Sequence, residues 1–510
     1  MADASEAMSF DYVVVGAGTA GCILAASLAE RAGTRVALLE AGHKADHMLI
    51  RMPLAFGKAL KHPDLTWQVQ SPVLASLGGR VLGFPRGKVL GGTSAINGMI
   101  HTRGTPEDFD DWASEGCTGW SFADVEGCFK RAEQRLGIAG SMPSLADTPA
   151  IAAAFAKASA ASAPGVATPP QVAIRKGRRM SAARALSKAV TVIRDCRVER
   201  VLMRDGRVRA VSARIAGRIR TIEATAEVIL CAGSFQTPDI LFHSGIGDGA
   251  ILRAAGIGVA HHLPGVGQNL QDHFGIPLSW EARNTQTLNR LLQSRPRLAL
   301  EALRWGLAGK GALARPLAEV LFFARSHEDA PRPDIELILR VIHGSGADGV
   351  SGQPGFSVNA IPLKPLSRGT VAPGGATPET APRVDPGYLT ANSDVEVSLR
   401  AVRLARRVAA AVDMHAFRGP EIAPGSTVEA DDALLDYIRS NGTSASHHVG
   451  TCKMGQGSDA VVDPLLRVHG VPGLRIADGS IMPTLPGAHP NAAIMMIAEK
   501  AGEIIAGAAP

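Results

Sequence analysis

Gly16-Ala17-Gly18-Thr19-Ala20-Gly21 is the segment that most constrains what this chain can become. A short apolar run, Asp11 to Val15, precedes it, and Cys22 to Arg31 follows with helical apolar spacing before a second apolar run, Val36 to Leu39. That order predicts strand, turn, helix, strand. The glycines permit a tight turn and let backbone approach a pyrophosphate at the helix N-terminus. Glu40 closes the second strand, where a carboxylate can accept hydrogen bonds from ribose hydroxyls and disfavours a 2′-phosphate. The pattern predicts a dinucleotide-binding fold and by itself leaves NAD and FAD equally open.

At 510 residues the chain exceeds what one hydrophobic core usually organises, so two domains are expected. The alanine-rich stretch at 150–163 reads as a helix, with a loop from Pro164 to Pro170. Val198 to Met203, Val208 to Ile215 and Thr221 to Leu230 alternate like strands of a β-meander, which exits into a loop at Cys231-Ala232-Gly233. The middle of the chain mixes helical stretches (Leu288 to Leu307, Val395 to Val412) with a strand-like piece, Phe356 to Leu363, and Ala372 to Pro382 reads as an exposed loop. No repeat of fixed period is visible.

A formal charge of +6 spread along the chain, with only 4% aromatic residues, argues against a nucleic-acid surface. The densest basic stretch, Arg175-Lys176-Gly177-Arg178-Arg179, reads as a solvated loop. Six scattered cysteines without a CxxC pair read as reduced thiols. The N-terminal MADASEAMSF lacks the pattern of a secretion signal and no apolar run is long enough to span a bilayer, so a cytoplasmic protein is the default expectation, with peripheral membrane contact compatible with it.

Three later segments, taken with the glycine turn, resemble the glucose-methanol-choline (GMC) oxidoreductases. The first is Gly87-Lys88-Val89-Leu90-Gly91-Gly92-Thr93-Ser94-Ala95-Ile96-Asn97, running on to Arg103-Gly104 and Asp108. The second runs from Gly233-Ser234-Phe235-Gln236-Thr237-Pro238 through Ser244-Gly245-Ile246-Gly247 to Gly265-Val266-Gly267-Gln268-Asn269-Leu270-Gln271-Asp272-His273. The third runs from His447-His448-Val449-Gly450-Thr451-Cys452-Lys453-Met454-Gly455 through Ala477-Asp478-Gly479-Ser480 to Asn491. These segments keep the family's order and span nearly the whole chain.

The resemblance implies a mixed α/β fold. A Rossmann-like FAD-binding domain with a β-meander would be assembled from 10–140, 185–275 and 441–508, and a sheet-and-helix substrate-binding domain from 141–184 and 276–440. It implies FAD as cofactor. Gly16, Gly18, Thr19, Ala20, Gly21, Glu40 and Ala41 would serve its nucleotide half, with Trp67 and Val89 beside it. Gly91, Gly92, Asn97, Gly98, Met99 and Ile100 match the segment along the flavin and pyrophosphate. Val198 matches an adenine contact, Asp478 and Gly479 a contact near the ribityl chain, and Asn491 and Ala492 the last cofactor-lining positions. Ile96 stands where some relatives carry a histidine joined covalently to the flavin, so dissociable FAD is expected, with His101 the nearest histidine in sequence.

Oxidising an alcohol to a carbonyl requires removal of the hydroxyl proton and transfer of hydride from carbon to flavin N5. A neutral histidine suits the base role, and a second polar group can orient the alcohol. By resemblance His447 takes the first role and Asn491 the second. His448 stands where relatives commonly carry proline. Adjacent side chains in an extended segment point to opposite sides, which leaves open whether His447 or His448 faces the flavin. With no HExxH and no cysteine-rich ligand set, no metal site is expected. The stretch between Ala139 and Arg179 lacks the glycine-rich HG-x-x-GP pattern of relatives and is shortened, which predicts a more open pocket and withholds the substrate's identity.

Pro53-Leu54 upstream of Trp67, Gln271-Asp272-His273, and Val462-Asp463-Pro464 before Arg467-Val468-His469-Gly470 resemble bacterial alcohol, sorbose and choline dehydrogenases most. The leading expectation is therefore an enzyme that oxidises a small-molecule alcohol and passes electrons to a quinone or similar acceptor, with oxygen as the alternative acceptor. A lyase or decarboxylase on the same scaffold is disfavoured by the retained His447 and Asn491. A non-catalytic FAD-binding protein is disfavoured by the intact motifs at both sites.

Overall fold

The computed structural model describes residues 8–139, 148–344 and 351–507. The first seven residues of the N-terminal segment, 140–147 of the shortened stretch and residue 508 of the expected cofactor domain lie outside them.

Two sheets organise the chain. The first strand, Met8–Val15, pairs in parallel with Val36–Leu39 on one side and with the long strand Arg218–Leu230 on the other. Val190–Ile193 adds in parallel beyond Val36–Leu39. The predicted meander is present as Cys196–Arg204, Arg207–Ile215 and Arg218–Leu230, antiparallel throughout. Leu474–Ile476 returns late in sequence to pair in parallel with Val228 to Leu230. Val13 and Val14 are wholly buried, as a parallel strand covered on both faces requires. The helix Thr19–Ala29 begins three residues earlier than its apolar spacing suggests, because small residues at its start bury under the C-terminal helix Asn491–Gly507.

The second sheet runs in the order Arg418–Ala423, Phe274–Ala282, Gly355–Pro362, Ile335–Arg340, Ala318–Ala324, Gly165–Thr168, antiparallel throughout. Thr443–Ser444 pairs with its strand Phe274–Ala282 at Phe274 and Gly275. One face is closed by the helices Ala150–Ser162 and Asn392–Ala410, against which Ile335, Leu337, Leu339, Phe322 and Val358 are buried. The opposite face carries Glu336, Ile338 and Arg340, as the period of two along a strand dictates.

Four local expectations change. Pro164 to Pro170, expected as a loop, contains the edge strand Gly165–Thr168, paired with Ala318–Ala324. Cys231-Ala232-Gly233 leads straight into a helix, Gly233–His243, whose start is held by Asp478. The stretch Leu288 to Leu307 is two helices, Leu288–Gln293 and Arg295–Ala308, broken at Ser294 ahead of Pro296. The second of these leaves Leu300, Leu303 and Leu307 exposed. The basic stretch 175–179 is a two-stranded turn whose last residue, Arg179, is buried and donates to the carbonyls of Ile50 and Ser94 and to Asn97 Oδ1. A guanidinium with fixed acceptors in the interior is structural, not a solvated loop charge. Burial pulls it down to about 9.

Candidate active site

The glycine turn is packed to the point where no side chain fits. A Cβ on Gly21 would lie 1.9 Å from the Gly16 carbonyl oxygen, and one on Gly92 would lie 2.6 Å from Gly18 Cα. Gly16 itself sits at φ +96°, against the backbone of Cys231 and Ala232. No side chain caps the helix at Gly18, so its first backbone N–H groups are left to an anion. Glu40 is buried and accepts from Ala17 N at 3.0 Å and Gly42 N at 2.8 Å, and burial raises its carboxyl to about 7. Each oxygen keeps a lone pair for a ribose hydroxyl.

Around this turn the other expected cofactor residues take definite positions. Ala41 precedes Gly42, which is pressed against the Lys88 carbonyl next to Val89. Trp67 lies under the Lys88 ammonium, 4.7 Å from its ring centre. Asn97 Oδ1 accepts from Met99 N at 3.0 Å and from Arg179, fixing the turn in which Met99 adopts φ +64°. Gly98 has open space beside it. Ile100 bridges to Val172 and packs toward the second sheet. Val198 sits on the meander paired with Ala213. Asp478 accepts from Gly233 N, Thr237 Oγ1 and Ser480 N, and Gly479 is buried beside it. Ala492 is buried in the first turn of the C-terminal helix. This backbone cradle, the uncapped helix start and the ribose-distance carboxylate fit an FAD. Ile96 is wholly buried among Ile50, Leu65 and Val89 and offers no atom for a covalent bond, while His101 is tied to Glu133 at 3.0 Å.

Beside this cradle, the two adjacent histidines point opposite ways. His448 lies edge-on between Phe84 and Phe235, each 4.8 Å away, and contacts Arg86. His447 enters a polar cluster with His273, its Nδ1 2.9 Å from His273 Nδ1, and with His489, whose ring centre is 4.6 Å away. The backbone that carries them is fixed by Asp272, which accepts from His447 N and Ser444 Oγ, each at 2.5 Å, and from the Tyr388 hydroxyl. Burial raises Asp272 to about 6.

The hydrogen-bond chain assigns the tautomers. His273 Nε2 lies 2.9 Å from the Leu363 carbonyl, which can only accept, so this nitrogen carries the proton. Burial lowers His273 to about 3, so the ring is neutral and its Nδ1 is a lone pair. His447 Nδ1 must then donate to it. His447 is itself held well below the usual histidine range by burial and by the neighbouring His489, His273 and Arg86. Its Nε2 is therefore a lone pair with no protein partner among the described residues. His489 has its Nε2 3.1 Å from Glu336 Oε1, so it donates there and its Nδ1 remains free. Glu336 is fully buried, and its other oxygen, Oε2, has no partner.

Among the described residues, no hydrogen bond joins Asn491 to His447. As the first residue of the C-terminal helix, its Oδ1 accepts from Thr19 Oγ1 at 2.9 Å and its amide nitrogen contacts Met495 Sδ. It therefore braces the nucleotide turn. The ring beside His447 belongs to His489, in the loop just before that helix, held where Asp108 accepts from Gly487 N and Thr102 Oγ1 from His489 N. Sequence reading missed His489, Glu336 and the use of His273. The signal for His273 was its place directly after Asp272 in an already noted motif. That for His489 was its place two residues before Asn491.

Comparison with known proteins agrees with this architecture. Residues 10–275 match the N-terminal part and residues 365–498 the C-terminal part of the GMC oxidoreductase family. The chain is 35% identical to the oxygen-dependent choline dehydrogenase of Vibrio vulnificus, over 97% of this chain and 94% of that one. It is 34% identical to an alcohol dehydrogenase [acceptor] of Pseudomonas putida (97% and 95% covered) and 36% to the mitochondrial choline dehydrogenase of Homo sapiens (98% and 90%). Among solved structures, pyridoxine 4-oxidase from Mesorbium loti superposes with TM-score 0.87 at 27% identity, covering 98% of this chain and all of that one. Fold and site together define an FAD-dependent oxidoreductase acting on CH–OH groups. The chain belongs to the GMC oxidoreductase family. Among the described residues, no helix is long and apolar enough to cross a membrane.

Proposed function

We propose that this enzyme oxidises a primary or secondary alcohol with His447 as the base, and that His489, rather than Asn491, is its partner. Bound FAD supplies the hydride acceptor. His447 Nε2 takes the hydroxyl proton, and the relay from Leu363 O through His273 keeps its lone pair aimed away from the protein and available. His489 Nδ1 contacts the same substrate oxygen from the second side. Glu336, behind His489, holds that ring in place through Nε2 and sets a negative charge against the positive charge that develops on the histidine pair as the hydroxyl proton is taken up. The observation that carries this reading is the opposed pair of partner-free ring nitrogens, each fixed in tautomer by a buried acceptor behind it.

The buried Ile96 and the engaged His101 support non-covalent FAD. For the acceptor, a quinone or similar molecule is favoured by likeness to the Pseudomonas putida alcohol dehydrogenase [acceptor] and by the exposed face of Arg295–Ala308. There Leu300, Leu303 and Leu307 stand out beside Arg295, Arg297 and Arg304, a face suited to an anionic bilayer surface. Likeness to choline dehydrogenases makes choline the first alcohol to assay, and oxygen the competing acceptor.

The test is anaerobic mixing of the flavin-loaded chain with a panel of alcohols, followed by oxygen or a quinone. Bleaching of the flavin by at least one alcohol is expected. His447→Ala should slow it by about 10²- to 10⁴-fold with the flavin still bound. An unchanged rate in that variant removes His447 from the mechanism.

A further inference from the structure

The helix Arg295–Ala308 turns its largest apolar side chains away from the protein. Leu300, Leu303 and Leu307 are 49%, 57% and 82% exposed. At about 100° per residue these three share one stripe within about 60° of arc, and Trp305, the helix's one buried residue, lies nearly opposite. Ala299, Ala302 and Gly306 are exposed around the leucines. A surface helix normally buries its leucines and exposes its charges. Here the single acid, Glu301, is turned inward, where it accepts from Ala312 N at 2.6 Å and from Arg304 Nη1 at 2.8 Å. Among the described residues, no other helix or strand exposes more than one large apolar side chain.

The free charges beside this stripe are of one sign. Arg295, Arg297 and Lys310, at the two ends of the helix, are exposed and form no ion pair among the described residues. Trp305 Nε1 donates to the Gly177 carbonyl at 2.7 Å, which seats the helix on the turn that carries the exposed Arg175 and Lys176. That turn runs on into the buried Arg179, whose bond to Asn97 Oδ1, 2.7 Å long, ties it to the segment matched to the flavin. The leucine stripe is therefore fixed to the body of the protein, with cations at both its ends and on the turn that supports it.

We infer that this helix docks the enzyme on an anionic lipid bilayer, lying in the plane of the headgroups with its leucines in the acyl region. The inference rests on the quinone reading above for its purpose, since it names the surface from which a lipid-soluble quinone is reached; the docking itself is measured without turnover. Apolar side chains flanked by unpaired cations match hydrocarbon and headgroup phosphates at once. Two other occupants match less of the face. A second copy bound about a two-fold axis would set these cations against themselves, with no outward acid on the helix to answer them. A contact with another protein is usually centred on aromatic anchors, and the helix's one aromatic ring, Trp305, faces inward under the Arg178 guanidinium, 5.6 Å away.

The test floats the flavin-loaded enzyme with phosphatidylcholine vesicles that contain either no anionic lipid or about one-third phosphatidylglycerol. Binding to the anionic vesicles should exceed binding to the neutral ones about tenfold or more, and weaken as salt rises from about 0.1 M to about 1 M. Leu303→Ser combined with Leu307→Ser should lower partitioning about 10- to 100-fold. Arg295→Gln combined with Arg297→Gln should lower it about 10- to 30-fold, on anionic vesicles only. In both variants the flavin content, and the rate of flavin reduction by an alcohol without vesicles, should stay at the wild-type level, which checks folding. No binding, equal binding to both kinds of vesicle, full binding by either variant, or self-association through the leucines in place of vesicle binding overturns the proposal. A last arm asks whether reduced enzyme on anionic vesicles is reoxidised by a long-chain quinone in the same bilayer. Docking without that reoxidation sinks the quinone reading and supports the docking face.

Discussion

The nucleotide turn and the histidine cluster are built by opposite means. The turn is six consecutive residues whose function lies in the absence of side chains, held so tightly that Gly21 has a carbonyl oxygen 1.9 Å from where a Cβ would go. The cluster is made of side chains from four distant stretches, His273, Glu336, His447 and His489, each oriented by a buried hydrogen bond. The first should fail completely when one atom is added. The second should fail by degrees, according to how many bonds separate the altered group from the substrate.

The largest expected effect tests the first half of that contrast. Gly21→Ala must displace the Gly16 carbonyl, so the purified variant should carry no flavin or fail to fold. Flavin content by visible absorption decides it, and a normally loaded variant would mean that the turn is looser than its packing indicates. Next come two residues that sequence places side by side and the fold separates. His489→Ala, with flavin retained, should slow reduction by an alcohol by about 10²- to 10³-fold. Asn491→Ala should mainly weaken FAD retention, because its amide accepts from Thr19 in the nucleotide turn. The reverse pattern would return the partner role to Asn491.

Those two residues also mark the boundary of what the sequence made legible. Periodicity and glycine placement carried the first sheet, the leading helix and the meander, since each is set by neighbours in sequence. Asn491 and His489 are only two residues apart, but the C-terminal helix begins between them. Helical geometry turns Asn491 toward Thr19, while the preceding loop, pinned by Asp108 through Gly487, presents His489 to His447. No local pattern encodes that change of direction. Glu336 was less legible still. A strand with charged residues among isoleucines and leucines reads as half exposed, and only its pairing with a neighbouring strand on each side puts Glu336 in the interior, fully buried.

A smaller effect sharpens the comparison within the cluster. Glu336 acts through His489, so Glu336→Gln keeps its shape and a hydrogen-bond acceptor while removing the charge. The expected loss is about tenfold in the rate of flavin reduction. The loss should fall on kcat, since the amide cannot supply the negative charge set against the proton taken up by the histidine pair. A loss seen only as a raised KM would instead make Glu336 a substrate contact through its free oxygen.

The smallest effect concerns stability, and it follows from four buried groups, the His273 and His447 rings and the Asp272 and Glu40 carboxyls. His273, held at about 3, and His447, held well below its usual value, remain neutral in the folded chain, whereas the unfolded chain protonates both as pH falls through 6.5. Folding stability is therefore withdrawn on acidification, by about 0.7 kcal/mol for each ring between pH 7 and 6. Asp272 works the other way. Its carboxyl, raised to about 6, takes up a proton in the folded state before the unfolded one does, returning about 0.4 kcal/mol over the same interval. The buried Glu40 carboxyl, raised to about 7, returns about 1 kcal/mol more in the same way, so rings and carboxyls offset one another and the melting temperature should stay within about one degree between pH 7 and 6. His273→Leu removes one of the two opposing rings, so in that variant the melting temperature should rise slightly as pH falls. A wild-type melting temperature that falls clearly over the interval would mean that the two rings outweigh both carboxyls.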